Sequence, residues 1–207
     1  MFNLLRYQIV VLLLSASATG AQLSGGGGGG GISLAGVGHD LGAATARVFI
    51  VEFGDFGCGY CAKFNAETYP KIDSAYIARG LVRWKMVPFV TGMFHNSREV
   101  AEAAECAADQ GAFWKMNDLL YAKRKEWMAS TDIRTLVAKY VSQLNLDRTA
   151  FGRCAMNPEI RHRIQRHDAI AQQLGIRGTP MFYVNGRMVP GAIPFALFQQ
   201  VITEAAR

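Results

Sequence analysis

Two cysteines stand two residues apart in Phe56-Gly57-Cys58-Gly59-Tyr60-Cys61. The apolar, β-branched run Val48-Phe49-Ile50-Val51 leads into this turn, and a helical pattern leaves it. Strand, turn, Cys-x-x-Cys and helix in that order make a particular chemistry available. A cysteine at the head of a helix lies beside unpaired backbone N–H groups and the positive end of the helix dipole. Both favour thiolate over thiol, and in such motifs the thiol pKa falls from about 8.5 to roughly 3.5–7.5. Cys61, one turn further on, can close a disulfide with Cys58 or expel a substrate from a mixed disulfide. The chemistry is dithiol–disulfide exchange, with Cys58 attacking and Cys61 resolving.

Other residues invite a chemical reading. Glu52 is an acid inside an apolar run, which suits a proton relay or a structural partner for Lys63 or Lys85. In Gly178-Thr179-Pro180 a proline directly precedes an apparent core strand, although it cannot donate to a ladder. A cis Thr179–Pro180 bond explains this, because X-Pro bonds alone adopt cis at tolerable cost. The Thr179 backbone is then free to pair with an extended substrate peptide held across Cys58. Cys106 and Cys154 are left for each other as a structural disulfide, the alternative being two free buried thiols. A zinc site using all four cysteines fits poorly, since structural zinc prefers paired short spacings. His39, His95, His162 and His167 show no metal-ligand spacing and read as surface residues. No metal and no cofactor is expected.

The elements that position these groups follow from pattern. The chain has 207 residues, enough for one well-cored domain, and 50% of them are hydrophobic. A net charge of +6 suits an anionic membrane surface, but nothing pairs the basic residues with aromatics as nucleic-acid binding would require. Lys123-Arg124-Lys125 and Arg161 through Arg166 read as solvated helix faces. Residues 1–21 have the layout of a secretory signal: Arg6, the apolar Ile9–Leu14, then small residues with cleavage after Ala18 or Ala21. The rival is an uncleaved anchor that tethers the domain to a membrane. Residues 22–43 read as a Gly-rich flexible linker, leaving 44–207 as the folded domain. Four cysteines in an exported chain imply an oxidising compartment, the periplasm or extracytoplasmic space.

Within that domain, Arg47–Phe53 reads as a buried strand and Cys58 to about Arg79 as a helix interrupted at Pro70 and ended by Gly80. Leu81–Val90 is a second strand. A helical block follows, about 97–174, with Thr131 capping one helix and Pro158 opening another. Met181–Val184 and Arg187–Val189 are strands joined by the hairpin turn Asn185-Gly186, and Pro194 opens a last amphipathic helix. The class is α/β, ordered β-α-β, helical insertion, β-β-α.

With these motifs in place, residues from Arg47 to Ala206 resemble the thioredoxin superfamily, and within it the DsbA-like exported thiol:disulfide oxidoreductases. The resemblance rests on Phe53-Gly54-Asp55-Phe56-Gly57-Cys58-Gly59-Tyr60-Cys61, on Gly178-Thr179-Pro180 before a hairpin, and on the helical insertion. It implies that Cys58 is an exposed nucleophile, Cys61 its buried partner and Pro180 a cis-proline opposite them. It also implies that Glu52 is the acid beneath the cysteines, moving a proton to or from Cys61. The dipeptide Gly59-Tyr60 is that of DsbC-like isomerases rather than the Pro-His of the strongest oxidants. The expected partners are reduced or misoxidised client proteins and a DsbB-like or vitamin-K-reductase-like membrane protein. An oxidase is the first reading. An isomerase or reductase and a non-catalytic chaperone module on the same scaffold are the alternatives.

Overall fold

A computed structural model describes residues 32–207. The expected signal segment, 1–21, and the glycine tract lie outside the described residues. Among the described residues no helix is long and apolar enough to cross a membrane.

One mixed sheet organises the chain. Its strands are β1 (His39–Leu41), β2 (Val48–Gly54), β3 (Val82–Pro88), β4 (Met181–Val184) and β5 (Arg187–Pro190), in the spatial order β1-β3-β2-β4-β5. Only the central pair β2–β3 is parallel, with Glu52 opposite Met86. A parallel pair needs a crossover, and α1 (Gly59–Glu67), α2 (Tyr69–Ile72) and a π-helical turn (Asp73–Ile77) supply it. Both faces of β2 are buried, which is why it reads as a continuous apolar run. Val48 and Ile50 pack with Phe64, Trp84, Phe182 and Phe198 on one face, where α9 (Phe195–Ala205) closes the core. Val51 and Phe53 pack with Val87, Ala171, Leu174 and Tyr183 on the other. Ring centroids 4.7 Å apart for Phe64–Phe182 and 5.0 Å for Phe182–Phe198 mark a tight aromatic cluster. Each such ring, fully buried, contributes roughly 1.5–3 kcal/mol.

The expected helical insertion is present as α3 (Ser97–Ala108), α4 (Phe113–Ala122), α5 (Arg124–Met128), α6 (Ile133–Gln143), α7 (Arg148–Ala155) and α8 (Pro158–Gln173). It has its own core around Val100, Met116, Leu120, Trp127 and Ile164, and this core reaches Phe56, Cys58 and Cys61. A disulfide joins Cys106 of α3 to Cys154 of α7, with Cα atoms 5.7 Å apart. That bond removes both cysteines from any four-cysteine metal site.

Some expected boundaries move. The linker reading of 22–43 fails at its C-terminal end: Leu34 and Val37 are buried, and His39–Leu41 pairs antiparallel with β3. A three-residue strand carries no periodic signal, but Lys85 anchors it, donating to Asp40 at 2.9 Å and to the Val37 carbonyl at 2.9 Å. The first helix breaks at Thr68, just before Pro70, which sits at the start of α2 where its missing N–H costs nothing. The cap of α6 is Asp132 rather than Thr131; its carboxylate accepts from the Thr135 N–H. Asn185 and Gly186 form the expected hairpin turn with φ of 47° and 87°. His167 is not a surface residue. It is 2% exposed and shares the buried Glu105 with His39, which lies 2.8 Å from that carboxylate.

Candidate active site

The turn between β2 and α1 is fixed by a residue the sequence reading passed over. Asp55, 1% exposed, accepts from the Gly57 N–H at 2.8 Å and from the Ser97 hydroxyl through one carboxylate oxygen. Its other oxygen accepts from the Thr91 N–H and hydroxyl, both at 2.8 Å. Four donors satisfy a buried carboxylate, and they tie the turn to the loop after β3 and to the start of α3. The Asp55 carbonyl also accepts from the Cys58 N–H at 2.9 Å. An acid three residues before Cys58, in a Gly-rich turn, was the available signal.

Gly57 must be glycine. A Cβ there would lie 2.3 Å from Cβ of Phe94. Its carbonyl accepts from Nε of Arg124 at 2.6 Å. Arg124, expected on a solvated helix face, instead reaches from α5 to hold the residue before Cys58. Lys123 and Lys125 beside it are exposed.

Cys58 is the N-cap of α1, and Cys61 lies one turn on; both are free thiols. Cys58 is 5% exposed, not openly exposed as the resemblance implies, and Cys61 is 0% exposed. The reason is the bend opposite: the Thr179–Pro180 bond is cis, and the Thr179 carbonyl oxygen lies 3.2 Å from the Cys58 sulfur. The cover is local, because Gly59 is exposed and Tyr60 is 71% exposed.

The two thiols are driven apart in acidity. A hydrogen bond from Cys61 pulls the Cys58 pKa down to about 5. The Thr179 side chain and the N–H groups of Cys61 and Tyr60 add to this against an opposing cost of burial. Burial, followed by the hydrogen bond and charge of Cys58, pushes Cys61 well above an ordinary thiol. The pair therefore holds one thiolate and one thiol at neutral pH.

Glu52 lies in the floor beneath them, 6% exposed. Burial pushes its pKa up to about 8, against a hydrogen bond from the Trp84 indole at 3.3 Å. The proposed lysine partners do not meet it. Lys85 points to the opposite face of β3 because side chains alternate along a strand, and Lys63 pairs with Glu67. Burial thus holds Glu52 near about 8 with no cation paired to it among the described residues, and its charge in turn raises the Cys61 pKa.

The geometry brings Cys58, Cys61, Gly59, Tyr60, Thr179 and Pro180 together, with Glu52 below. It leaves Cys106 and Cys154 apart, as a bond within the insertion. Among the described residues no group of three His, Cys, Asp or Glu side chains is arranged to hold a metal ion.

Comparison with known proteins points the same way. The family model described as Thioredoxin matches residues 35–204. The disulfide bond formation protein D of Bacillus subtilis is 30% identical over 164 residues, covering 72% of this chain and 68% of that protein. The Na(+)/H(+) antiporter NhaA 3 of Salinispora tropica is 34% identical over 151 residues, but this chain spans only 22% of its length. In fold, the chain is similar to the crystal structure of alpha-DsbA1 from Wolbachia pipientis. The TM-score is 0.73 at 23% identity, over 81% of this chain and 89% of that one.

Proposed function

The chain belongs to the thioredoxin family, as a DsbA-like thiol:disulfide oxidoreductase, and from that premise we propose that it is an exported oxidase of client proteins. A client thiolate attacks the Cys58–Cys61 disulfide at the Cys58 sulfur, and Cys61 leaves. A second client thiolate attacks the client sulfur of the mixed disulfide, and Cys58 leaves as a thiolate. The client gains a disulfide, and the protein holds both electrons as a dithiol. A membrane redox partner of the DsbB or vitamin-K-reductase type removes them, with residues 1–21 directing the chain to the periplasm or extracytoplasmic space. Transport is not carried over from the antiporters, of whose length this chain covers about a quarter.

What supports the direction is the place of Cys58 as the N-cap of α1, one turn from Cys61 and facing Thr179, a setting that holds its thiol down to about 5. A stabilised thiolate favours the reduced protein, and a protein that prefers to be reduced is an oxidant of others. In the same reading Glu52 protonates Cys61 as it leaves, and the bend at Thr179–Pro180 receives the client backbone. Tyr60 and Met93, 71% and 69% exposed, offer apolar rim to an unfolded client.

Equilibration of the Cys58–Cys61 pair with a glutathione buffer tests this. The oxidase reading predicts a potential near about −120 mV, while a value near about −270 mV assigns the reductive direction. The dipeptide Gly59-Tyr60 makes that second outcome informative. Unchanged client folding by a Cys58→Ser variant would indicate a non-catalytic chaperone.

A further inference from the structure

Tyr121 sits on α4, in the helical insertion, yet its side chain ends under the dithiol. Its ring packs on Phe56 with centroids 5.1 Å apart, and the residue is 5% exposed. Its hydroxyl is buried and has no hydrogen-bond partner among the described residues. A buried polar group left so is costly, so its surroundings are informative. The last residue of β2 shows what faces it. A Cβ built on Gly54 would lie 2.9 Å from the Tyr121 hydroxyl oxygen and 3.3 Å from Oε1 of Glu52. Hydroxyl and carboxyl thus converge across a glycine, with the Met86 methyl at 3.0 Å from the same point. The second carboxyl oxygen of Glu52 is already taken by the Trp84 indole.

We propose that Tyr121 is a positioning residue for proton transfer between Glu52 and Cys61, its hydroxyl donating through one water to the Oε1 side of the Glu52 carboxylate over Gly54. The proposal rests on the reading of Glu52 as the proton carrier. In the oxidative direction the client thiolate bonds to the Cys58 sulfur, the Cys58–Cys61 bond breaks and Cys61 departs with the electron pair. Glu52 gives its proton to that sulfur and becomes a carboxylate. In reoxidation the Cys61 thiol returns the proton to Glu52 and attacks as a thiolate. In both directions Glu52 passes through a charged state inside an apolar floor. The Trp84 N–H stabilises one oxygen in that state, and the Tyr121 O–H stabilises the other. Burial first, then the charges of Cys61, Glu52, Asp55 and Cys58, push the Tyr121 hydroxyl far above its ordinary pKa. It therefore remains a donor throughout. The small residue at 54 is what lets the hydroxyl approach, and the insertion thereby contributes an atom to the chemistry as well as a wall to the groove.

The test is the pH profile of two single-turnover steps in the full chain. One is attack of a reduced client peptide on the Cys58–Cys61 disulfide; the other is formation of the mixed disulfide by Cys58 in a Cys61→Ala background. Tyr121→Phe keeps the ring on Phe56 and removes only the oxygen. A hydrogen bond to a charged group is worth about one pH unit or more. The midpoint of the Cys61-dependent step should therefore move alkaline by about one unit, while the Cys58-only step keeps its profile. Gly54→Ala should produce the same selective shift by pushing the hydroxyl and carboxyl apart. If it fails to fold, the Tyr121→Phe profile decides alone. An unmoved midpoint in Tyr121→Phe, with Glu52→Gln still altering the profile, overturns the role of Tyr121 and leaves Glu52 standing. An unmoved profile in Glu52→Gln itself overturns the reading beneath it. Equal slowing of both steps by Tyr121→Phe would show a packing role only and would likewise overturn the proposal.

Discussion

The Cys58 sulfur lies 3.2 Å from the carbonyl oxygen of Thr179, the residue that enters the cis bond to Pro180. A helix N-terminus and a β-strand entrance, 121 residues apart in sequence, are thereby set face to face. A client chain laid along the bend would bring its own sulfur to Cys58. The Thr179 side chain is also among the groups that hold Cys58 acidic. Thr179→Val keeps the shape and removes the hydroxyl. It should raise the Cys58 pKa by about one unit, the order of a hydrogen bond to a charged group. Thiolate absorbance followed against pH checks this; an unshifted titration would show that the Thr179 hydroxyl does not stabilise the thiolate.

Glu52 should weaken the fold at neutral pH. Its folded-state pKa of about 8 exceeds the unfolded value near 4.5, so the native state keeps a proton that the unfolded chain releases. Stability from this group is therefore lost as pH rises from about 4.5 through about 8. Glu52→Gln should be more stable than the parent at pH 8, by on the order of 4 kcal/mol, and close to it in slope near pH 4. Urea unfolding of both proteins with the dithiol oxidised isolates the effect. The same variant should slow the Cys61 step, so stability and activity should move in opposite directions.

The Cys106–Cys154 bond spans 48 residues and joins α3 to α7 within the insertion. Replacing both cysteines with alanine should lower stability by roughly 4 kcal/mol, the chain-entropy value for a loop of that length. The Cys58 pKa should not change. Chemical denaturation and a thiolate titration of the double variant separate the two expectations, and a shifted titration would tie this bond to the active site.

Arg124 tests whether the turn before Cys58 is held from the insertion. Arg124→Met keeps most of the stem and loses the donor to the Gly57 carbonyl. The side chain is half-buried, so the loss in stability should stay near about 1 kcal/mol. The rate at which Cys58 forms a mixed disulfide should fall several-fold as the turn loosens. Stopped-flow exchange with a small disulfide measures it, and an unchanged rate would return Arg124 to the solvated face that its neighbours occupy.

Local pattern carried most of this architecture. The apolar run 48–53, the cysteine pair and the Asn185-Gly186 turn are signals spanning a few residues, and each appears where its pattern puts it. The residue before the last strands, Pro180, was legible because proline breaks a rule there and a cis bond repairs it. What stayed hidden depends on contacts between distant segments. Strand β1 is three residues held by Lys85 and Asp40, with no periodicity of its own. Arg124 looks like one charge in a basic run until the fold brings α5 against the turn. Asp55, Tyr121 and His167 are polar residues that the fold buries, and a single sequence gives their types but not their depth. Lys85 misled for a simple reason: it neighbours Trp84 in the chain but projects from the other face of β3.

Cys58 as an acidic thiol at a helix start is the central claim. The most direct test is its ionisation in the reduced full chain, read by the pH dependence of Cys58 alkylation with Cys61 replaced by alanine and, separately, with Cys61 intact. With Cys61 intact the expected pKa is about 5; with Cys61 gone it should rise, because the largest contribution comes from the Cys61 hydrogen bond. Ionisation of the intact pair near an ordinary thiol's value of about 8.5 would contradict the account at its centre.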